Sequence, residues 1–358
     1  MPEKSKDRAP VRLLILGTGG MANTHAENFA KIDGVTLVAG IDTRPEPLQA
    51  FRDKHGIPKG FGSIGDALAW GGFDAVTNVT PDAAHFATTM PILAAGKHTL
   101  CEKPLATNEA DADAMAAAAA KAGVINMVNL SYRNVAALQK AAAMVRDGAI
   151  GTIRHFEASY LQSWLTQPAW GPWDKESQWL WRLSTKHGSK GVLGDVGIHI
   201  LDFATFVAGQ DVQDISCRLA TFPKAPGDRI GDYVLDANDS ATMQVVLANG
   251  ALGTVAATRF ASGHLNDLRL RLYGDKGGLE VSWEKNVSTL RACLAPDLQS
   301  GTWHDVEAPV LATIYERFIA AIRGEGVADP DFARGAALQR MLDRAEQSAA
   351  KGGLSLKV

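Results

Sequence analysis

The sequence predicts an α/β chain in two parts: an N-terminal doubly wound parallel sheet, residues 1–133, and a C-terminal α/β part, residues 134–358, with a large open, mostly antiparallel sheet. Three observations carry this. Over roughly the first 130 residues, short apolar runs alternate with helical stretches, which implies parallel strands covered by helices on both faces. After that, strand-length runs follow one another through short turns, the pattern of antiparallel pairing. A glycine-rich turn, Gly17-Thr18-Gly19-Gly20-Met21-Ala22, separates the first apolar run from the first helical stretch.

Arg12–Leu16 is an apolar run ending at Gly17, and Met21–Lys31 reads as a helix. Val35–Ile41 is a second strand, Pro45–His55 a second helix and Ser63–Trp70 a third. Asp74–Val79 is a strand closed by Thr80-Pro81, and Asp82–Ala95 is a helix with Gly96 as its C-cap residue. His98–Cys101 is a short strand ending at Glu102-Lys103-Pro104. Thr107 is the expected N-cap of the Ala-rich helix that runs to Lys121, and Val124–Leu130 is another strand.

Asn134–Arg146 is one more helix and Arg154–Leu161 a long strand. Residues 162–190 read as a loop-like insertion, and Val192–Val207 as a helix. Strands are then expected at Val212–Thr221, Ser240–Leu247, Ala251–Phe260, Leu268–Tyr273, Leu279–Trp283 and Val287–Cys293, with Asn249-Gly250 as a hairpin turn. The tail returns to helix at Leu311–Arg323 and Phe332–Lys351.

Composition excludes several classes. With 36 basic and 39 acidic residues the net charge is −3, so there is no basic surplus for nucleic acid. At 46% hydrophobic and 21% charged, the chain is too apolar for disorder. Cys101, Cys217 and Cys293 are far apart with no CxxC, which argues against a disulfide framework and a thiolate zinc site; no metal is expected. The N-terminus is polar with both charge signs, and no apolar run is long enough to cross a membrane. A cytoplasmic protein with no membrane or nucleic-acid partner is expected.

Three segments carry chemistry. In the GxGxxA turn, Gly17 permits the tight turn, Gly19 lets backbone approach a pyrophosphate and Ala22 allows close helix–strand packing. Asp42 ends the second strand, 20 residues past Ala22, where a carboxylate accepts ribose hydroxyls. That favours NAD, while Arg44 keeps NADP open. Lys103 lies at the carboxyl end of a strand, where ligands bind in an open α/β sheet, and can donate to a substrate oxygen. Asp195 and His199 are spaced i,i+4 and so project from one helix face, with Asp202 on the same side. A histidine is a natural base for an alcohol proton, and a carboxylate can orient it, although a buried histidine beside a helix-capping Asp195 fits the same letters. Trp164, Trp170, Trp173, Trp179 and Trp181 fall within the insertion, where such rings can lie on a sugar face or pack against the loop or a second subunit. Trp181 and its neighbour Arg182 are the expected substrate contacts there.

Together, Gly17–Ala22, Thr80-Pro81-Asp82-Ala83-Ala84-His85, Glu102-Lys103-Pro104 and Asp195-Val-Gly-Ile-His199-Ile-Leu-Asp202 resemble the Gfo/Idh/MocA oxidoreductases, the glucose-fructose oxidoreductase and inositol dehydrogenase group. The resemblance runs in order from about residue 11 to 300. It implies an N-terminal Rossmann domain, a C-terminal domain whose open sheet forms a homo-oligomer interface (dimer or tetramer), and Lys103, Asp195 and His199 as the catalytic set. It also implies that Thr80, Pro81 and His85 lie near the cofactor. With these, the expected cofactor-binding set is Gly17, Gly19, Gly20, Met21, Asp42, Thr43, Arg44, Thr80, Pro81, His85, Glu102 and Lys103. Asn129-Leu-Ser-Tyr-Arg133-Asn lacks the glycine and double arginine often found after that strand, so only Arg133 is carried as a substrate contact there, beside Lys103, Asp195 and His199.

The expected activity is NAD(P)-dependent oxidation of a secondary hydroxyl of a sugar, sugar derivative or cyclitol. His199 removes the hydroxyl proton, oriented by Asp195, and Lys103 hydrogen-bonds the same oxygen. Two other readings keep the fold: glycoside cleavage or elimination through transient oxidation by a retained NAD, and a nucleotide-sensing regulator, which would have a degraded catalytic set.

Overall fold

The computed structural model describes residues 10–358. The start of the chain read above as polar with both charge signs, Met1–Ala9, lies outside the described residues. The chain forms two compact units: residues up to Leu130 with Ala312–Gln339, and Ser131–Leu311 with Arg340–Val358. A single cut at residue 133 therefore leaves out the return of residues 312–339 to the first unit.

The first unit is built on six parallel strands: β1 (Val11–Leu16), β2 (Val35–Ile41), β3 (Lys59–Phe61), β4 (Ala75–Asn78), β5 (His98–Cys101) and β6 (Asn126–Val128). Helices α1 (Gly20–Phe29), α2 (Pro45–His55), α3 (Ile64–Trp70), α4 (His85–Ala94) and α5 (Glu109–Ala122) connect them. The spatial order is β3-β2-β1-β4-β5-β6, the Rossmann order. The chain winds outward from β1 to β3 and restarts at β4 beside β1. The carboxyl ends of β1 and β4 thus form the switch point where ligands bind.

β1 shows why the sheet is buried on both sides. Val11 and Leu13 pack on α1 and on the later helix Ile314–Ile322, Ile15 packs on α1 and α2, and Leu14 and Leu16 on the opposite face pack on α3 and α4. A parallel strand covered on both faces reads as a continuous apolar run, not as an alternation. At three residues, β3 is too short to show a period and was not expected from the sequence. The cap of α5 is Asn108, not Thr107: the Asn108 side chain accepts from the Asp111 N–H at 2.9 Å.

The second unit begins with α6 (Ala136–Arg146) and β7 (Ile153–Leu161). The insertion contains only short helical turns, the longest α7 (Ser177–Leu180). Then come α8 (Ile198–Ala208), β8 (Val212–Ala220), the small hairpin β9 (Arg229–Ile230) and β10 (Tyr233–Val234), β11 (Ser240–Leu247), β12 (Leu252–Thr258), β13 (Asp267–Gly274), β14 (Gly277–Glu284), β15 (Val287–Leu294) and β16 (His304–Asp305). Helices α9 (Ile314–Ile322) and α10 (Phe332–Ala350) and strand β17 (Leu356–Lys357) close the chain. The nine-stranded sheet has the order β16-β15-β14-β13-β7-β12-β11-β8-β17. Every neighbouring pair is antiparallel except β7 with β12, so the sheet is mixed at its centre. Asn249-Gly250 makes the β11–β12 hairpin turn as expected: Gly250 has φ +83° and Asn249 Oδ1 accepts from the Ala251 N–H. α8 is buried on nearly every side, packing on β7, β12 and β13 and against α6, which is why its sequence is apolar all round.

The C-terminal return completes the first unit. The capping box of α9 pairs Thr313 with Glu316, and its inner face places Ile314, Tyr315, Phe318 and Ile319 on Val11, Leu13 and Phe29. Farther on, the Pro330 carbonyl accepts from the Val128 N–H on β6. Among the described residues, no helix is long and apolar enough to cross a membrane.

Candidate active site

The glycine turn joins β1 to α1. Gly17 has φ +96°, and a Cβ there would sit 2.7 Å from the Val79 carbonyl oxygen at the end of β4, so only glycine fits. At Gly19 and Gly20 a Cβ would meet nothing within 4 Å, and Gly19 offers α1 no side-chain cap. A bare helix N-terminus with outward N–H groups suits a pyrophosphate. Met21 is half exposed on the same turn.

Asp42 faces this turn from the end of β2. It accepts from the Thr18 hydroxyl at 2.5 Å, the Arg44 N–H at 2.9 Å and the Arg44 guanidinium at 3.1 and 3.2 Å. Burial works against its charge, but the bonds from Arg44 and Thr18 prevail and hold the carboxyl at about 2. It is therefore an ionised acceptor of the kind ribose hydroxyls need. Thr43 and Arg44 are exposed beside it.

Two further loops leave the switch-point side of the sheet. After β4, Asn78 Oδ1 accepts from the Thr80 N–H and hydroxyl at 3.1 and 2.7 Å, and Pro81 is exposed. After β5 comes Glu102-Lys103-Pro104. Two expectations change here. Glu102 turns inward: its carboxylate accepts from His25 Nε2 at 2.8 Å and Asn129 Nδ2 at 2.6 Å. Burial opposes its charge, but bonding to His25 and Asn129, with the charges of His25 and Lys103, brings it to about 2. His85 is fully buried, with Nδ1 2.7 Å from the Pro104 carbonyl oxygen and Nε2 2.9 Å from that of Thr80. Neither side chain presents itself to a cofactor, because both are occupied in fixing the loops. Lys103 stays partly exposed at the end of β5, its N–H donating to Glu102 Oε2 at 3.2 Å.

In the second unit, the helix expected at Val192–Val207 opens with a π-turn, Leu193–Gly197, before α8. Asn238 starts it: its carbonyl and side-chain oxygens accept from the Val192 and Leu193 N–H groups at 2.8 and 3.0 Å. The i,i+4 face argument assumed a regular α-helix, and the wider turn alters the phase between Asp195 and His199. The Asp195 carboxylate lies between two guanidiniums, Arg182 Nη1 and Arg259 Nη2, each at 3.0 Å. Arg259 is fully buried, lies 5.0 Å over the Trp164 ring and donates to the Arg182 carbonyl. His199 is buried against the edge of Tyr132, ring centroids 5.0 Å apart, with Tyr160 at 6.4 Å. The two phenols are hydrogen-bonded to one another. Burial pushes Tyr132 up to about 12 and Tyr160 well above its ordinary value, so both are neutral around His199.

Residues 11–130 match the family described as oxidoreductase family, NAD-binding Rossmann fold, and residues 138–280 match the GFO/IDH/MocA C-terminal domain. The chain is 29% identical over 308 residues to levoglucosan dehydrogenase from Pseudarthrobacter phenanthrenivorans, covering 76% of this chain and 77% of that one. It is 27% identical over 267 residues to myo-inositol 2-dehydrogenase from Thermotoga maritima, covering 75% and 74%. The solved structure of an oxidoreductase domain protein from Kribbella flavida matches with TM-score 0.86 at 30% identity, over 98% of this chain and 100% of that one. The chain belongs to the Gfo/Idh/MocA oxidoreductases.

In this Gfo/Idh/MocA oxidoreductase the cofactor is NAD, and the bare glycine turn, the α1 N-terminus and ionised Asp42 are the residues that fit it. The expected substrate contacts divide differently. Arg133 is buried in a two-pronged pair with Asp202, at 2.6 and 2.8 Å, and lies 3.6 Å over the Phe206 ring, so its guanidinium is a structural tie. Arg182 pairs with Asp195 and stacks on Trp181 at 4.8 Å. Trp164, Trp170, Trp173 and Trp179 pack into one apolar cluster with Leu180, Leu183 and Leu235; Trp181 is outside it. Sequence reading missed Arg259, Tyr132, Tyr160, His25 and Asn129. His25 did leave a signal: with Ala22, Ala26 and Phe29 it falls on the buried face of α1 at helical spacing. Arg259 left none beyond being a charge at the end of an apolar strand.

Proposed function

We propose that this Gfo/Idh/MocA oxidoreductase is an NAD-dependent dehydrogenase of a secondary hydroxyl on a sugar, sugar derivative or cyclitol, working in the cytoplasm. His199 takes the hydroxyl proton, Lys103 donates to the same oxygen and offsets its growing charge, and Asp195 fixes the local field. Bound NAD supplies the acceptor for the carbon-bound hydrogen. The observation that supports the reading is His199 set among neutral phenols, four residues after an Asp195 that is paired with two arginines. An imidazole packed against neutral aromatic rings can act as a base for an alcohol proton, which suits a hydroxylated substrate. Two relatives named for levoglucosan and myo-inositol, both polyhydroxylated rings, support the substrate class. Trp181 is the ring proposed to meet substrate, since its neighbours are committed to packing.

A screen of NADH release over anhydrosugars, monosaccharides and inositols, with NAD and NADP in parallel, tests this. At least one polyol should give steady NADH formation. His199→Ala and Lys103→Ala should each lose about 100-fold or more in kcat while still binding NAD. Silence with every polyol, or full turnover in either variant, would overturn the reading. We also propose a homo-oligomer through the open face of the nine-stranded sheet, where Leu252 and Val287 are exposed beside the Glu157–Arg271–Glu280–Arg291 ladder. Light scattering on the purified chain decides that point.

A further inference from the structure

His85 has a hydrogen-bond pattern that only one protonation state satisfies. Both of its ring nitrogens lie within bonding distance of backbone carbonyl oxygens, Pro104 at 2.7 Å and Thr80 at 2.9 Å. A carbonyl oxygen only accepts. A neutral imidazole carries one N–H, so one of the two contacts would set lone pair against lone pair in a buried site, which is unfavourable. The imidazolium donates to both. The charge sits at the first residue of α4, where the helix dipole opposes it. Against burial, the Cys101 sulfur favours the charged ring most, followed by Asp82 and the Pro104 carbonyl. Burial works against the charge, yet these neighbours carry the group up to about 10.

The two carbonyls belong to different loops. Thr80 follows β4, and the Val79 carbonyl just before it is the group against which Gly17 packs. Pro104 follows Lys103. One ring therefore links the glycine-turn side of the sheet to the lysine loop, while Glu102, on the other side of Lys103, is held by His25 and Asn129. We propose that His85 is a positioning residue for Lys103: a buried imidazolium whose two N–H groups tie the Thr80 and Pro104 carbonyls and fix the loop that carries the lysine. The proposal rests on the reading that Lys103 takes part in the reaction.

The test is ¹⁵N NMR of the histidine rings in the full-length protein with NAD bound. The His85 ring, identified by its proximity to Thr80 and Pro104, should show the two-proton imidazolium pattern at pH 8, well above the ordinary histidine value. A neutral pattern at pH 8 overturns the charge. In kinetics, His85→Gln, which cannot donate in both directions from one planar ring, should lower kcat about tenfold with NADH affinity changed less than threefold. Unchanged kcat overturns the positioning role. Should His85→Gln fail to fold, the wild-type spectrum still decides the charge. If Lys103→Ala keeps full turnover, the catalytic reading of Lys103 has failed, a result separable from the ring's protonation.

Discussion

We propose that a single side chain, Asp42, sets the cofactor preference. Its carboxylate is held by Thr18 and by three bonds from Arg44, so in the wild type the arginine is tied to the acid. Asp42→Ala removes the ribose acceptor and frees the guanidinium for a 2′-phosphate. The expected outcome is a rise in the NAD KM of about tenfold and a shift of the NADP/NAD ratio of kcat/KM towards NADP, read by steady-state kinetics. An unchanged ratio would show that Asp42 does not set the preference. At the other residue centre, Arg259→Met removes one of the two guanidiniums that pair with Asp195. Breaking a buried pair of this kind costs about 3 kcal/mol, so thermal unfolding should shift downward, and kcat should fall more than KM rises. The glycines, Asp42, Lys103 and the Asp-x-x-x-His letters were legible because each belongs to a short segment with a local signature. The partners that determine what those groups can do were not: Arg259 is 64 positions from Asp195, and Glu102 is 77 from His25.

At the scale of elements, propensity and period located nearly every strand and helix, and the departures have local causes. The π-turn at Leu193–Gly197 arises where Asn238 takes the first N–H groups and three glycines stand nearby; Gly191 is needed because a Cβ there would lie 2.4 Å from the Asn238 side chain. The strands the sequence reading missed, β3, β9, β10, β16 and β17, have only two or three residues each, are set by their neighbours and have no period to read. Helix α9 has a job its sequence does not declare. Its apolar stripe was plain, but the sheet it covers begins about 300 residues earlier. Phe318→Ala, which empties a fully buried ring site against Phe29, should destabilise the protein by about 3–5 kcal/mol in denaturant unfolding. Thr313→Ala, which removes the capping box, should cost about 1 kcal/mol.

For the whole molecule, the discontinuous first unit has a testable consequence. A chain ending at residue 133 lacks α9 and exposes Val11, Leu13 and Phe29 on one face of its sheet. It should be insoluble or molten by near-ultraviolet circular dichroism; a cooperative melt would contradict the role given to residues 312–339. Stability should also fall at both ends of the pH range. Asp42 and Glu102 are held near 2, below their unfolded values, so their contribution is complete above about pH 5 and lost as pH falls towards 2. His85 is raised to about 10, so its contribution is complete below about pH 6 and declines as pH rises to 10. Unfolding midpoints measured across pH check both limbs, and His85→Gln should flatten the alkaline one.

By itself the sequence determined the two architectures, the β1–turn–α1 segment and the segments proposed to bear the chemistry, because periodicity and turn residues act over a few positions. Only the tertiary structure decided that Glu102 and His85 face inward to brace loops, that Arg133 and Arg182 are bound to carboxylates, and that the C-terminal helix α9 completes the first sheet. Those outcomes depend on which distant groups satisfy a buried charge or cover an apolar face, and no local pattern encodes the identity of a partner tens or hundreds of residues away.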